Sequence, residues 1–367
     1  MSRSRMPSAP RRLAAACVFA PALAAAASGA AAAAPPSTAG SPAAAAPASA
    51  DRFGPGPGAF AVEAMDLDWL DQDRNRPVPV RVYFPKREPG PFPVVVFSSG
   101  LGAGRASFEF LGRHLASHGY VSVHVQHPGS DERIWQAGGD ARETIKKTVN
   151  DPQSGLARLL DLVFALDQVA ALASSSPVLR GRIDLREVAV AGSNVGAWTA
   201  LAAAGLAFAG KNGEESSLPD PRVKAALLLM PPPAAGPQRE RLRFEHVKVP
   251  CLYLTGAAAN ESEAQAAARR LPFDQVAGAE QVLVTYVAAA ADAGSLGPGT
   301  GAAAGKGRPA RGPGANREAQ LRDPVATIAT AFLDARLRHH AAAREWLLGG
   351  GLAAYLGKSF RVETRTR

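Results

Sequence analysis

VAVAGSNVGAWTALAAAG, residues 188–205, decides how the rest of the chain is read. A short apolar run from Val188 to Ala191 breaks at Gly192, a second glycine stands at Gly196, and an apolar stretch resumes at Ala197. This is the outline of a nucleophile elbow, G-x-S-x-G, in which a sharp strand-to-helix turn presents the residue midway between the glycines. That residue should be an attacking serine. Here it is Asn194, whose conjugated amide nitrogen is no useful nucleophile.

An elbow needs a strand before it and a helix after it, and the flanking sequence supplies both repeatedly. Strands are expected at residues 60–67, 78–84, 93–97, 120–125, 188–191, 223–230, 251–255 and 281–287. The later ones are continuous apolar runs of the kind that parallel strands show when both faces are covered. Between them, Leu156, Leu159, Leu160, Val163, Leu166 and Ala170 recur at spacings of three and four, placing one buried stripe on a helix over 153–173. Other helices are expected at 108–117, 197–208, 261–271 and 324–338. Strands alternating with helices predict an α/β fold, a mostly parallel doubly wound sheet of about eight strands with an antiparallel start. Ligands in such sheets sit at the carboxyl ends of the strands.

The first 34 residues stand apart. Arg3, Arg5, Arg11 and Arg12 precede an Ala/Leu/Val-rich run with A-x-A cleavage options, the order of a signal peptide and too weakly apolar for a membrane span. Export to the periplasm or exterior is the expectation. Residues 35–58, mainly Ala, Pro, Ser and Gly, read as a disordered linker. One domain is expected over 59–360, with a low-complexity loop at about 289–322.

Charge and cysteine content narrow the class. Four of the nine excess positive charges lie in the leader, and aromatics are only 6%, so no basic and aromatic nucleic-acid footprint is expected. Of the two cysteines, Cys17 lies in the leader, which leaves Cys251 alone and permits no internal disulfide. Neither integral membrane insertion nor a cofactor is expected.

PVVVFSSGLGAGRASFEFLGRHLASHGYVSVHVQHPGSD, residues 93–131, resembles the bacterial proteins grouped as predicted dienelactone hydrolases and the platelet-activating-factor acetylhydrolases. Members of these α/β-hydrolase families read approximately FSHGLGG, then LASHGY, then HPGSD. GRIDLREVAVAGSNVGAWTAL resembles their elbow, approximately GRID then VAVAGHSFGAYTAL. The resemblance implies an α/β-hydrolase fold and carboxylic ester hydrolysis by serine, acid and histidine.

Each of the three positions departs from that pattern. Asn194 replaces the serine. Ala259 stands at the acid position, with the uncharged Asn260 beside it. The base position, near Asp292, holds no imidazole, because none of the seven histidines lies between His246 and His339. Ser99 also replaces the histidine of the family's SHG turn, and Ser193 replaces that of its elbow. The backbone amides of Leu101 and Val195 match the oxyanion-hole donors, and main-chain donors survive side-chain substitution.

Ser99, His127, Ser193 and Trp198 are the candidate pocket residues. His124 and His127 flank a strand end facing the site, yet spacing alone completes no metal set. Arg158 and Asp161, three apart on the long helix, read as a structural pair. The expectation is a hydrolase-fold protein without hydrolase activity that retains a pocket for a small ester or lipid-like ligand. The alternative is an ester hydrolase using displaced residues, Ser193 or Ser99 with His124 or His127.

Overall fold

A hairpin opens the structure. In the computed structural model, β1 (Val62–Asp71) turns through Asn75, at φ 46°, into β2 (Arg76–Pro85) and pairs with it antiparallel. The structure describes residues 53–366 except 55, 136–140, 211, 213, 235, 258–261 and 288–312. The expected signal peptide, most of the linker, Ala259, Asn260 and Asp292 lie outside the described residues.

The core of the sheet follows. β3 (Phe92–Ser98) is buried throughout and leads over α1 (Glu109–Ser117) to β4 (Val121–Val125). A 3-10 strap (Glu132–Trp135), α2 (Ala141–Asn150) and α3 (Pro152–Ser175) return the chain to β5 (Ile183–Ser193). α3 starts where the sequence provides a cap: the Asp151 carboxylate accepts from the amides of Gln153 and Ser154, and Pro152 supplies the fixed φ of a first turn. α4 (Val195–Ala203), the short β6 (Ala207–Ala209) and β7 (Glu215–Ser216), β8 (Val223–Leu229), β9 (Leu242–Arg243) and β10 (Cys251–Gly256) come next. The chain closes with α5 (Glu263–Gln275), β11 (Gln281–Tyr286), α6 (Pro313–Leu337), α7 (Ala341–Leu348), α8 (Gly351–Leu356) and β12 (Phe360–Arg365).

The main sheet has nine strands in the order β1-β2-β4-β3-β5-β8-β10-β11-β12. β4, β3, β5, β8, β10 and β11 run parallel, and the strands beyond them on either side are antiparallel. This is a mostly parallel sheet flanked by helices, the architecture of an α/β hydrolase. From β3 the chain goes to β4 on one side and to β5 on the other. The order reverses there, and folds of this kind place their ligands outside the carboxyl ends of the strands at such a point, here β3 and β5.

Period-two alternation distributes β3 between two cores. Val94 and Val96 pack with Leu162 of α3 and Leu201 of α4, while Val95 and Phe97 pack with Leu111 of α1 and Phe332 of α6. Ser98 continues the first series and turns toward α3.

The expected mostly parallel sheet of about eight strands is present with nine, the additional one being β12, in which Phe360, Val362 and Thr364 alternate with Arg361, Glu363 and Arg365. Charged edge strands deter further pairing and hide among solvated segments. A second sheet, β7-β6-β9, is built from strands of two or three residues, too short to carry a period. The helix after the elbow ends at Ala203 rather than near Phe208, because Gly205 takes φ 121° and a side chain there would strike the His246 carbonyl. The last long helix begins at Pro313, not at Pro324, so the segment read as loop becomes helical ten residues earlier than its expected end. Pro324 is accommodated within it.

The described residues all fall in one compact unit, Ala48–Arg367, and none of their helices is long and apolar enough to cross a membrane.

Candidate functional site

The strand-to-helix turn is built as the glycine spacing requires. Asn194 stands at φ 53° and ψ −126°, exposed above the sheet, its amide donating to the Leu229 carbonyl at 2.9 Å. Asparagine is among the few residues besides glycine found at positive φ. A Cβ on Gly192 would collide with the Gly196 carbonyl, and one on Gly196 with the carbonyl of Ser98. The two glycines therefore let α4 lie directly on β3 and β5. Gly196→Ala is expected to destabilise the fold by about 2–3 kcal/mol, measured by urea unfolding, because backbone atoms on both sides cannot move aside. An unchanged midpoint would contradict this close approach.

Asn194 also satisfies its own turn: its Oδ1 accepts from the Val195 amide at 2.8 Å. Opposite it, the turn after β3 is tied down at Gly102, whose amide donates to the Ser130 carbonyl at 2.8 Å. Trp135 closes over the same glycine, its indole Nε1 donating to the Gly102 carbonyl at 2.9 Å. The amide of half-buried Leu101, between these points, donates to no acceptor among the described residues.

The candidate hydroxyls do not meet the candidate imidazoles. Ser99 Oγ donates to the Ala103 carbonyl, and Ser193, buried, lies beneath Gly100. His124 uses one ring nitrogen on the Ser107 carbonyl and the other on Ser122 Oγ, stacked on Phe97 below the surface. Trp198 is half-buried and donates to the Pro232 carbonyl. No described hydrogen bond joins a histidine ring to Asn194, Ser193 or Ser99.

His127 has a partner that the sequence did not reveal. Its Nε2 lies 2.9 Å from Ser98 Oγ, and its Nδ1 lies 3.2 Å from Asp161 Oδ2. Serine, imidazole and carboxylate thus stand in one chain, with the side chains of His127 and Asp161 fully buried and Ser98 at 0% exposure. Asp161 also accepts from Arg74 at 2.8 Å and from Arg76 at 2.8 and 3.0 Å. The expected Arg158–Asp161 pair is corrected. Arg158 instead donates to Ser130 Oγ at 2.7 Å and to the Ser99 carbonyl, because the two residues project from α3 toward different neighbours. Only the switch point of the sheet, which sets α3 under the end of β3, brings these groups together.

Burial, the largest influence, pushes the His127 pKa down to about 4; the nearby Arg158 cation pushes the same way, against Asp161. His127 is therefore neutral at pH 7, with Nδ1–H donating to Asp161 and Nε2 accepting from Ser98. For Asp161 burial is again the largest influence and raises its pKa, but the hydrogen bonds from His127 and Arg76 and the Arg76 charge outweigh it, and the net direction is down. Arg158 is lowered to about 10 by burial, which leaves it charged at neutral pH.

For metals, both ring nitrogens of His124 and of His127 are engaged by protein groups. One cluster among the described residues has ligating atoms close together, Glu215, Glu245 and His246, exposed beside the small sheet. There Glu215 is already paired with His246 at 3.1 Å and Arg243 at 3.4 Å.

The family model for platelet-activating factor acetylhydrolase, isoform II, matches residues 73–135. That segment holds β2, β3, α1, β4 and the strap, and with them Ser98, Leu101 and His127, but not the elbow. A platelet-activating factor acetylhydrolase from Cavia porcellus is 25% identical over 149 residues, and the match covers 34% of each chain. This chain therefore spans about a third of the length of that curated relative. In this matching segment the chain resembles the platelet-activating factor acetylhydrolases, and its sheet has the architecture of the α/β-hydrolase superfamily.

Proposed function

We propose that this is an exported α/β-hydrolase-fold protein that keeps a ligand crevice at its elbow and does not hydrolyse esters there. The observation that carries the reading is Asn194. An amide stands where an attacking hydroxyl would be, and its Oδ1 takes the Val195 N–H, the donor that a developing oxyanion would need. The acid position is Ala259 or Asn260, and the sequence places no histidine near Asp292. Losing nucleophile or base alone costs on the order of a millionfold in rate. Export is supported by the arginine-then-apolar order of residues 1–34, and a small ester or lipid-like ligand by the similarity to the acetylhydrolases.

Two measurements test this. The purified protein is expected to show neither fluorophosphonate labelling nor hydrolysis of short-chain nitrophenyl esters above buffer. Asn194→Ser is expected to remain equally silent, since no imidazole hydrogen-bonds to the elbow to take the proton. Stoichiometric labelling of the unmodified protein would end the reading.

The Ser98–His127–Asp161 chain favours a second reading, ester hydrolysis from a displaced triad. Its hydrogen bonds match the roles of nucleophile, base and orienting acid, and His127 is neutral and able to accept a proton. Against it, Ser98 has no exposed surface from which to reach a carbonyl carbon. Labelling that disappears in Ser98→Ala would establish this reading in place of the first.

A further inference from the structure

Beyond the end of β4, the loop 126–131 and the strap that follows it border an open groove of about 470 Å³. Arg76, Pro128, Gly129, Asp131, Arg133 and Ile134 wall it, and neither Asn194 nor Leu101 is among them. Arg76 begins β2 and comes to this loop because the antiparallel pairing sets Val80 opposite Val125. It clasps the loop by donating to the Pro128 carbonyl at 2.7 Å.

Both guanidiniums of the groove are aimed by buried carboxylates. Arg76 spends Nε and Nη2 on Asp161, at 2.8 and 3.0 Å. Arg133 spends Nε on Asp131 at 2.9 Å and sets Nη2 2.7 Å from the same carboxylate. The guanidinium fork is planar and rigid, so a carboxylate gripping its Nε edge turns Nη1 to the opposite side. Neither Nη1 has an acceptor among the described residues. The side chains of Asp131 and Asp161 have no exposed surface, and Asp131 also accepts from Gln126 at 2.8 Å. Glu132, next to Arg133, turns its carboxylate to Gly104.

Between the two arginines the chain passes through Gly129 at φ 88°. A Cβ there would meet nothing within 4 Å, and the Gly129 amide donates to no acceptor among the described residues. Two fixed cationic donors and one backbone N–H thus share one space. Hydrogen bonds from guanidiniums to charged oxygens are roughly twice as strong as neutral ones. A phosphate monoester dianion carries three terminal oxygens for these three donors, whereas a phosphodiester carries two and a single charge.

We propose that this groove is a binding site for a phosphate dianion, inorganic phosphate or the monoester of a small molecule, held by Arg76, Arg133 and the Gly129 amide. The site lies outside the elbow, so ester turnover there, present or absent, has no bearing on it.

Isothermal titration of the full chain tests it, at constant ionic strength and about pH 8, above the second phosphate pKa of about 6. Inorganic phosphate and glycerol phosphate are each expected to bind at least about tenfold more tightly than glycerophosphocholine, a diester. Arg133→Lys keeps a cation beside Asp131 but loses the fork, and is expected to weaken phosphate several-fold. Gly129→Asp and Gly129→Asn differ only in charge: both side chains tolerate positive φ and both enter open space, so their thermal midpoints without phosphate should agree. Gly129→Asp is expected to weaken phosphate more than about tenfold and Gly129→Asn less than about threefold. No phosphate binding at millimolar concentration, equal weakening by the two Gly129 substitutions, or unchanged affinity in Arg133→Lys would each overturn the proposal. Glycerophosphocholine binding as tightly as glycerol phosphate would also overturn it, by showing that the groove takes a diester headgroup and not a dianion.

Discussion

Asp161→Ala is expected to cost about 3–5 kcal/mol of folding stability, read as a lowered urea midpoint with an unchanged slope. The carboxylate is fully buried and is the acceptor for Arg74, Arg76 and His127 at once. Removing it leaves Arg76 without a carboxylate and the His127 N–H without its acceptor, while Arg74 keeps only Asp71; the uncompensated Arg76 charge then carries the desolvation cost that the pair had offset. Ser98→Ala removes one hydroxyl from the same chain and is expected to cost only about 1 kcal/mol, the usual net worth of one neutral hydrogen bond. The contrast separates a structural clasp from a catalytic relay. In a clasp the acid dominates stability and neither substitution moves any turnover; in a relay Ser98→Ala abolishes turnover while hardly altering the midpoint. A loss below about 1 kcal/mol for Asp161→Ala would mean that the arginines find other partners and that this cluster does not hold α3 to the sheet.

How much of this could be read in the sequence depends on the range over which each signal acts. The parallel strands were legible because both of their faces are buried: Val94 to Phe97, Val188 to Ala191 and Ala225 to Leu229 present unbroken apolar runs. The elbow was legible because two backbones approach so closely that only glycine fits at 192 and 196. β12 was not, since Arg361, Glu363 and Arg365 give an edge strand the texture of a loop. Nor was the Ser98 chain. Ser98 and Ser99 are adjacent serines, and only the pleat decides that Ser98 faces α3 while Ser99 bonds locally to Ala103. Arg158 and Asp161 sit three apart and looked like partners on one helix. In the folded chain each answers a different segment, and that choice is made by the strand order, which no local pattern encodes.

Acid is expected to unfold this protein well before its carboxylates are neutralised. His124 and His127 are completely buried, and burial, the largest cause in both, pushes each from 6.5 down to about 4. Between those values the unfolded chain takes up protons that the folded chain refuses. Stability therefore rises with pH across that interval; it is fully present above about 6.5 and drains away as pH falls toward 4. A displacement of this size corresponds to about 3 kcal/mol per histidine, so the two together rival the 5–15 kcal/mol typical of a whole domain. His114, half-buried beside His118, is lowered in the same direction. Asp131, Asp161 and Asp220 are all shifted down, so their contributions persist until pH falls below the ordinary carboxylate range. Urea midpoints measured from pH 7.5 to 4.5 should fall steeply below about 6.5, and His124→Asn, which can still donate to the Ser107 carbonyl, should flatten part of that slope. A midpoint constant over the whole range would mean that protons reach these two rings in the folded state, and that the interior beneath the elbow is open to water.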